Sequence, residues 1–414
     1  MKDFIRLTEA VQIDRRIQYR FESSLPLFVK KDFYVEYTRD FQAPSAGILA
    51  MPFASVMISI SWMTGADLEM DVLDEAFAES LGKAKLYFQK WFSNKWSFAG
   101  ALKARTEKNE GGGRREAMLY SGGMDALTTY IGHRSQKPVL FSFFGADIPL
   151  DQTKLVKDCR KSFEDFAQNE GIDLWCIESN LWSLFDHKKL KQWAENWWGQ
   201  AAHATVLGAL TAPVCYRDVG RLWIASSHVR DSVDYGWGSD YHLDNLLCWA
   251  GTRMEQDLPD KTRFQKVKLF AQHPDLHRYL RVCFTWWKWS GDQINCCSCE
   301  KCYRTVCELL LNGADPAGCN FKVTEDMFRD MKTSLQKRHA YYTYFHGVPA
   351  ALEFWRDIRR AAAGYEGFDR PASKEFFKWL KDFKRLDTLR TDQLGRLIYW
   401  LRETRWKLVQ KFKK

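Results

Sequence analysis

The chain lacks any uninterrupted apolar run of about 18 residues, the length a membrane-spanning helix needs. Its opening segment, MKDFIRLTEAVQIDRR, has no apolar core of the secretory kind. The expectation is a cytoplasmic protein with no membrane association. Internal repeats and low-complexity segments are also absent. Neither GxxxxGKS/T nor GxGxxG occurs, which excludes the two commonest glycine-rich nucleotide loops. No GxSxG elbow is present, and the adjacent pair Ser227-His228 points its side chains apart, so a serine hydrolase has no support.

What is present is an ordinary globular composition. The 414 residues are 46% hydrophobic and 27% charged, which excludes a mainly disordered chain and a coiled coil and leaves ample material for a core. That length predicts two or three domains. Eleven cysteines, several crowded into NCCSCEKC, read as reduced thiols holding a metal rather than as disulfides. The net charge of +9 is uneven: Pro371 to Lys414 carries thirteen Lys and Arg against five Asp and Glu, a net of +8. Such a tail is a solvated helix face or a surface for nucleic acid or an acidic protein. The 18 tryptophans include Trp193, Trp197, Trp198 and Trp286, Trp287, Trp289, which are expected in a core or interface rather than as base-stacking platforms.

Along the chain, IQYRFESSL and FYVEYTRDF read as strands of a hairpin and SVMISISWM as a further strand. DVLDEAFAESLGKAKLYFQKWF has apolar residues at helical spacing. These make an N-terminal α+β domain, 1–113, closed by Gly111 to Gly113 read as a linker. From there AMLY, VLFSFFG, IDLWCIES and RLWIASS read as strands separated by helices, an α/β doubly wound parallel sheet over 114–320. Residues 321–414 read as a basic helical domain.

Between the first of these strands and its helix stands Ser121-Gly122-Gly123-Met124-Asp125. Two glycines permit a tight turn and let backbone N–H groups approach an anion. The helix adds its own N-terminal N–H groups and positive dipole end, giving a cradle for phosphate or pyrophosphate. Further on, Cys296, Cys299 and Cys302 are spaced C-x2-C-x2-C, and Cys283 lies 13 residues upstream. Four thiolates suit tetrahedral, structural zinc. Cys297, Cys307 and Cys319 compete for the fourth place, and an iron–sulfur cluster is the alternative occupant.

LYSGGMDALTTY resembles the SGGxDS signature of the PP-loop ATP pyrophosphatases, which cleave ATP between the α and β phosphates. The resemblance implies that Ser121, Gly122, Gly123 and Asp125 contact pyrophosphate and Mg2+. Met124, Phe143 in the second strand and Ser227 after the fourth join the implied ATP site. The final Ser of the signature is Ala126 here. With Cys283 and CCSCEKC after it, the stretch 114–315 is similar to the QueC family of 7-cyano-7-deazaguanine synthases. It looks most like the QueC-like proteins of bacterial anti-phage operons, which share the ending seen here as CEKCYRT.

That likeness implies adenylation of a deazaguanine carboxylate. Ser121, Asp125, Lys266 and Arg304 are the implied catalytic residues, and Tyr235, Gly238, Ser239, Asp240 and Arg263 the implied substrate contacts. Gly236 belongs to the same segment. For Arg263, Lys266 and Arg304 a plain reading as surface cations at helical spacing stays open. Where QueC has a YGQRH-type stretch, this chain has FFGADIPLD, and DYGWGSDYHLDN matches the base-recognition segment by position rather than identity. The flanking regions suggest a protein amine, on a partner, as nucleophile. The alternatives are an orthodox nitrile synthase using ammonia, a nucleotide sensor without turnover, and a zinc-stabilised nucleic-acid-binding protein.

Overall fold

The computed structural model describes residues 2–232, 236–283, 294–336, 344–345, 348–349, 351–364, 371–384, 386 and 401. They fall into two compact units, Met1–Thr262 and Arg263–Lys414.

The first unit is built on one eleven-stranded sheet. Its strands are β1 (Phe4–Ile13), β2 (Arg16–Ser23), β3 (Asp32–Tyr37), β4 (Asp67–Asp74), β5 (Leu102–Glu107) and β6 (Arg115–Leu119). They continue with β7 (Val139–Phe144), β8 (Leu174–Ser179), β9 (Val219–Ala225), β10 (Cys248–Trp249) and β11 (Thr252–Asp257). The spatial order is β10-β11-β9-β6-β7-β8-β3-β2-β1-β4-β5. The run β11-β9-β6-β7-β8 is parallel throughout. Taking β6 as its first strand, the order is that of a doubly wound α/β sheet, and it reverses between β6 and β9.

Side-chain alternation sorts this sheet into two faces. Ala117, Leu119, Val139, Phe141, Leu222 and Ile224 join one large cluster with helices Met51–Thr64 and His203–Cys215. On the opposite face Tyr120 stacks on Phe166 at 4.7 Å and meets Phe163 edge-on, under helix Thr153–Glu170. Helix Met124–His133 lies on that face too, with Tyr130 edge-on to Phe166.

The N-terminal strands are not a separate layer. β3 pairs antiparallel with β8, so β3-β2-β1-β4-β5 extends the same sheet. The compact units accordingly divide between Thr262 and Arg263, not at the composition changes near 113 and 320. Helix Glu75–Phe92 packs against β4 and β5 at one end of the sheet and β10 at the other, so the sheet curls around its larger core.

Two local expectations are corrected. SVMISISWM is not a strand but the body of helix Met51–Thr64, with Pro52 in its first turn and Gly65 (φ 84°) as its cap. Thirteen of its fourteen residues are buried, and a helix apolar all round has no amphipathic period to betray it. The glycine triplet joins β5 to β6 but is no loose linker. A Cβ on Gly111 would stand 2.1 Å from the Tyr216 carbonyl oxygen, and one on Gly113 2.1 Å from that of Asp218. Gly112, at φ +74°, donates its N–H to the Tyr216 carbonyl at 2.8 Å. The segment needs glycine because backbone passes against backbone.

The second unit is helical: Arg263–Ala271, Glu300–Leu311, Glu325–Gln336, Leu352–Ala362 and Pro371–Asp382, with a short hairpin of β12 (Tyr344–Phe345) and β13 (Val348–Pro349). Its interior includes Val306, Leu309, Met331, Trp355, Ile358 and Phe377. No helix among the described residues is long and apolar enough to cross a membrane. Trp197 and Trp198 are core residues and Trp193 packs against the same cluster, as expected. Trp286, Trp287, Trp289 and, apart from Leu386 and Leu401, the basic tail from 385 onward lie outside the described residues.

Replacing Gly113 by Ala should destabilise the chain by more than about 2 kcal/mol in urea unfolding, where a linker position would change it by about 0.5 or less. A neutral result would remove the close-approach account.

Candidate functional site

The loop expected to hold an anion follows β6 directly, beside the point where strand order reverses, which is where open α/β sheets bind ligands. Tyr120 donates its N–H to the Phe141 carbonyl, and the Ser142 hydroxyl donates to the Tyr120 carbonyl at 2.7 Å, so the loop springs from a fixed base. Gly122 is buried at φ +67°, a conformation that favours glycine. Gly123 is the helix N-cap, with no side chain to satisfy the first-turn N–H groups of helix Met124–His133. The Gly123 N–H bonds the Ser121 hydroxyl at 3.3 Å, and Ser121 is exposed. Met124 is buried, while Asp125 stands half-buried in the first helical turn. Ala126 is 5% exposed, its methyl packed inward.

Of the other implied nucleotide residues, Phe143 is half-buried one residue from the end of β7. Ser227 is exposed two residues past β9, the strand beside β6. Ser121 and Ser227 therefore follow the carboxyl ends of adjacent parallel strands. Ser226 is buried and donates to the Leu258 carbonyl at 2.8 Å, anchoring the second of these loops.

The implied substrate segment is used differently from its sequence reading. Tyr235 lies outside the described residues. Gly238 is buried against the π-helical turn Trp198–Ala202, donating to the Gly199 carbonyl and accepting from the Ala204 N–H, each at 2.7 Å. A Cβ on Gly236 would meet Trp91 at 2.6 Å. The Ser239 hydroxyl donates to Asp244 at 2.9 Å, and Asp240 caps the short helix Tyr241–Asp244 through the His242 N–H. Both side chains hold the segment's shape.

The residue that sequence reasoning missed is Asp244. It is fully buried and receives the Ser239 hydroxyl, the Asp240 N–H at 3.1 Å and the Gln256 amide at 2.9 Å. Burial pushes its carboxyl up to about 7, against those three hydrogen bonds. Its sequence setting, HLDN, carries no pattern that could have marked it.

The three implied cations belong to the second unit, and they are not surface residues. Lys266 is 1% exposed. Arg263, on the same helix, bonds Thr305 Oγ1 at 3.3 Å and stands 3.5 Å from the Glu308 carboxylate, itself buried. Arg304 stands 3.4 Å from Glu300 and lies 4.2 Å over the Phe354 ring. Trp355 donates its indole N–H to Glu300 at 3.1 Å. Desolvation raises the Glu300 carboxyl above its ordinary range, with Arg304 opposing.

In this unit Cys283, Cys296, Cys299 and Cys302 place their sulfurs within 4.8 Å of one another. Cys296 and Cys302 are 3.9 Å apart and Cys299 and Cys302 3.5 Å. A tetrahedral ion with metal–sulfur bonds near 2.3 Å sets its ligands about 3.8 Å apart, so the cluster can hold a metal such as zinc. All eleven cysteines are free thiols. Cys299 is the N-cap of helix Glu300–Leu311, which puts Cys302 in the first turn, where the dipole favours thiolate. Without a cation, hydrogen bonds of the protonated thiol to Cys283, Cys296 and Cys299, then burial, push Cys302 far up. A bound metal ion removes that cost. Cys297 is outside the set: its sulfur accepts from the Lys322 N–H at 3.3 Å. Cys307 contacts Met331 instead.

Two outcomes follow. Cys302→Ser should lose the bound metal, read by mass spectrometry of the native protein; full metal content in that variant would exclude Cys302 as a ligand. Because Asp244 is raised from 3.8 to about 7, the folded state prefers its acid form, so its contribution to stability is greatest below pH 4 and falls as pH rises to 7. Asp244→Asn should flatten that part of the stability–pH curve by several kcal/mol between pH 4 and 8; an unchanged slope in urea titrations would refute it. No protein-family model, no curated protein and no solved structure matches the chain.

Proposed function

We propose that the chain is an ATP-dependent, AMP-forming ligase of the PP-loop kind, which adenylates a 7-deazaguanine carboxylate and transfers the acyl group to an amine on a partner protein. The observation that carries the reading is the Ser121–Asp125 loop. A glycine turn at positive φ leads into an N-cap without a side chain, at the reversal of strand order. Such a terminus offers backbone N–H groups and a positive dipole end to a pyrophosphate.

In the first step a substrate carboxylate oxygen attacks the α-phosphorus of ATP, and the bond to the bridging oxygen breaks to release pyrophosphate. In the second, an amine attacks the acyl carbon, AMP leaves with the electron pair, and the amine proton passes to solvent. A carboxylate is a poor electrophile, and AMP makes it a good one. Holding the carboxylate against the α-phosphate is most of the catalytic work. The loop N–H groups offset charge on the leaving pyrophosphate, and Asp125 would hold Mg2+, which would supply further positive charge there. Ala126 removes a hydroxyl of the family signature but leaves the backbone donors in place.

A protein amine is favoured over ammonia by the helices beyond 321, which a small-molecule nitrile synthase does not need. Incubation with ATP, Mg2+ and 7-carboxy-7-deazaguanine should give AMP and pyrophosphate only when the deazaguanine is present, and Asp125→Asn should lower that rate at least about 100-fold. ADP, or no turnover, would sink the adenylation reading. Free nitrile formed with ammonia would replace the protein acceptor by the orthodox synthase.

A further inference from the structure

The metal cluster is assembled from two stretches of chain that approach each other from different directions. Cys283 ends the segment after Leu280, and Cys296 opens the C-x2-C-x2-C knuckle. One side chain joins them. Asn295, 2% exposed, accepts the Val282 N–H at 2.8 Å and the Cys283 N–H at 3.2 Å on its Oδ1. Its Nδ2 donates to the Leu280 carbonyl at 3.0 Å and the Asn320 carbonyl at 3.4 Å. An amide has two acceptor sites and two N–H groups, and here all four are used.

A second asparagine braces the first. Asn320 sits at φ 63°, a left-handed conformation that asparagine tolerates. Its Nδ2 donates to the Arg278 carbonyl at 2.6 Å and more weakly to that of Leu280 at 3.4 Å. Cys297, at φ 54°, turns its sulfur away to bond the Asn295 carbonyl at 3.4 Å and the Lys322 N–H. The stretches 278–283, 295–297 and 320–322 are thus tied together by side-chain amides and a spare thiol rather than by strand pairing.

We propose that Asn295 is the positioning residue of the four-cysteine centre: it fixes Cys283 against Cys296 so that the sulfur tetrahedron stands ready before the metal arrives. The neighbouring residue in the chain is a ligand, and the N–H it binds belongs to another. Moving the amide therefore changes the separation of two ligands directly. Partners of this sort around metal ligands change metal affinity by about 10- to 100-fold when removed.

The test uses zinc alone, on the full chain, and reads metal retention rather than turnover, so its outcome is independent of any ligase activity. Asn295→Ala should release zinc to a chromogenic chelator about 10- to 100-fold faster than the unaltered protein. The rise in Tm on zinc loading should also shrink, because the metal then has to order its own site. Unchanged release, or an equal fall in Tm with and without zinc, would overturn the proposal and leave Asn295 as ordinary core structure. Should Asn295→Ala fail to fold, Asn320→Ala decides, since it removes only the brace: faster release supports the proposal and unchanged release overturns it.

Discussion

A fourteen-residue helix that is apolar on every side must be enclosed, and the first unit is organised by that requirement. Helix Met51–Thr64 shows water almost nothing, and its buried serines satisfy themselves locally. Ser55 donates to the Pro52 carbonyl and Ser61 to that of Ala66, each at 2.7 Å, while Ser59 receives the Trp197 indole N–H at 2.9 Å. Helix His203–Cys215 lies against it, and the strands before and after must cover what remains. Pairing β3 with β8 supplies that cover by making two β regions one sheet. Once the sheet curls, the chain leaving β5 has to cross close to Tyr216, Asp218 and Gly251 to reach β6, and only glycine leaves room for the crossing.

With one face of the parallel strands spent on that enclosure, the other face carries the helix that begins at the candidate loop. The two requirements meet in β6 and β7. Leu119 and Phe141 face the large core, while Tyr120 faces Phe166 on the other side. The backbone of Tyr120 is bonded to β7, and its carbonyl is held again by the buried Ser142 hydroxyl. The glycine turn is thus mounted on a strand that packing fixes from both faces. A binding loop gains affinity from such mounting because little order remains to be imposed when a ligand arrives.

The strand–loop–helix around Ser121 was legible because each part carries a local signal: a short apolar run, two glycines, then apolar residues at helical spacing. The cysteine spacing was legible for the same reason. What failed was everything whose meaning depends on distant chain. SVMISISWM looks extended because valine and isoleucine favour strands, and nothing local says that it is buried on all sides. The glycine triplet reads as a linker because glycine serves flexibility and close approach alike. Arg263, Lys266 and Arg304 fit a solvated helix face until their burial is known, with Glu308 against Arg263 and Glu300 and Phe354 against Arg304. Asp244 is invisible in sequence because an aspartate signals nothing until its burial is known.

The charge network and the four-cysteine cluster share one helix. Glu300–Leu311 carries Cys302, Arg304 and Glu308 within two turns, with Cys299 as its cap. Buried ion pairs contribute little net stability, since desolvation offsets most of their attraction, so the pairs Arg263–Glu308 and Arg304–Glu300 do not explain why this helix holds its place. Its apolar side does, with Val306 and Leu309 in the interior of the unit, and a metal held by the four cysteines would add a tie at its first turn, two residues before Arg304. A metal held there would have a consequence further along the helix. Fixing Cys299 and Cys302 fixes the direction in which Arg304 leaves the helix, and with it the Glu300 carboxylate that Arg304 and Trp355 hold.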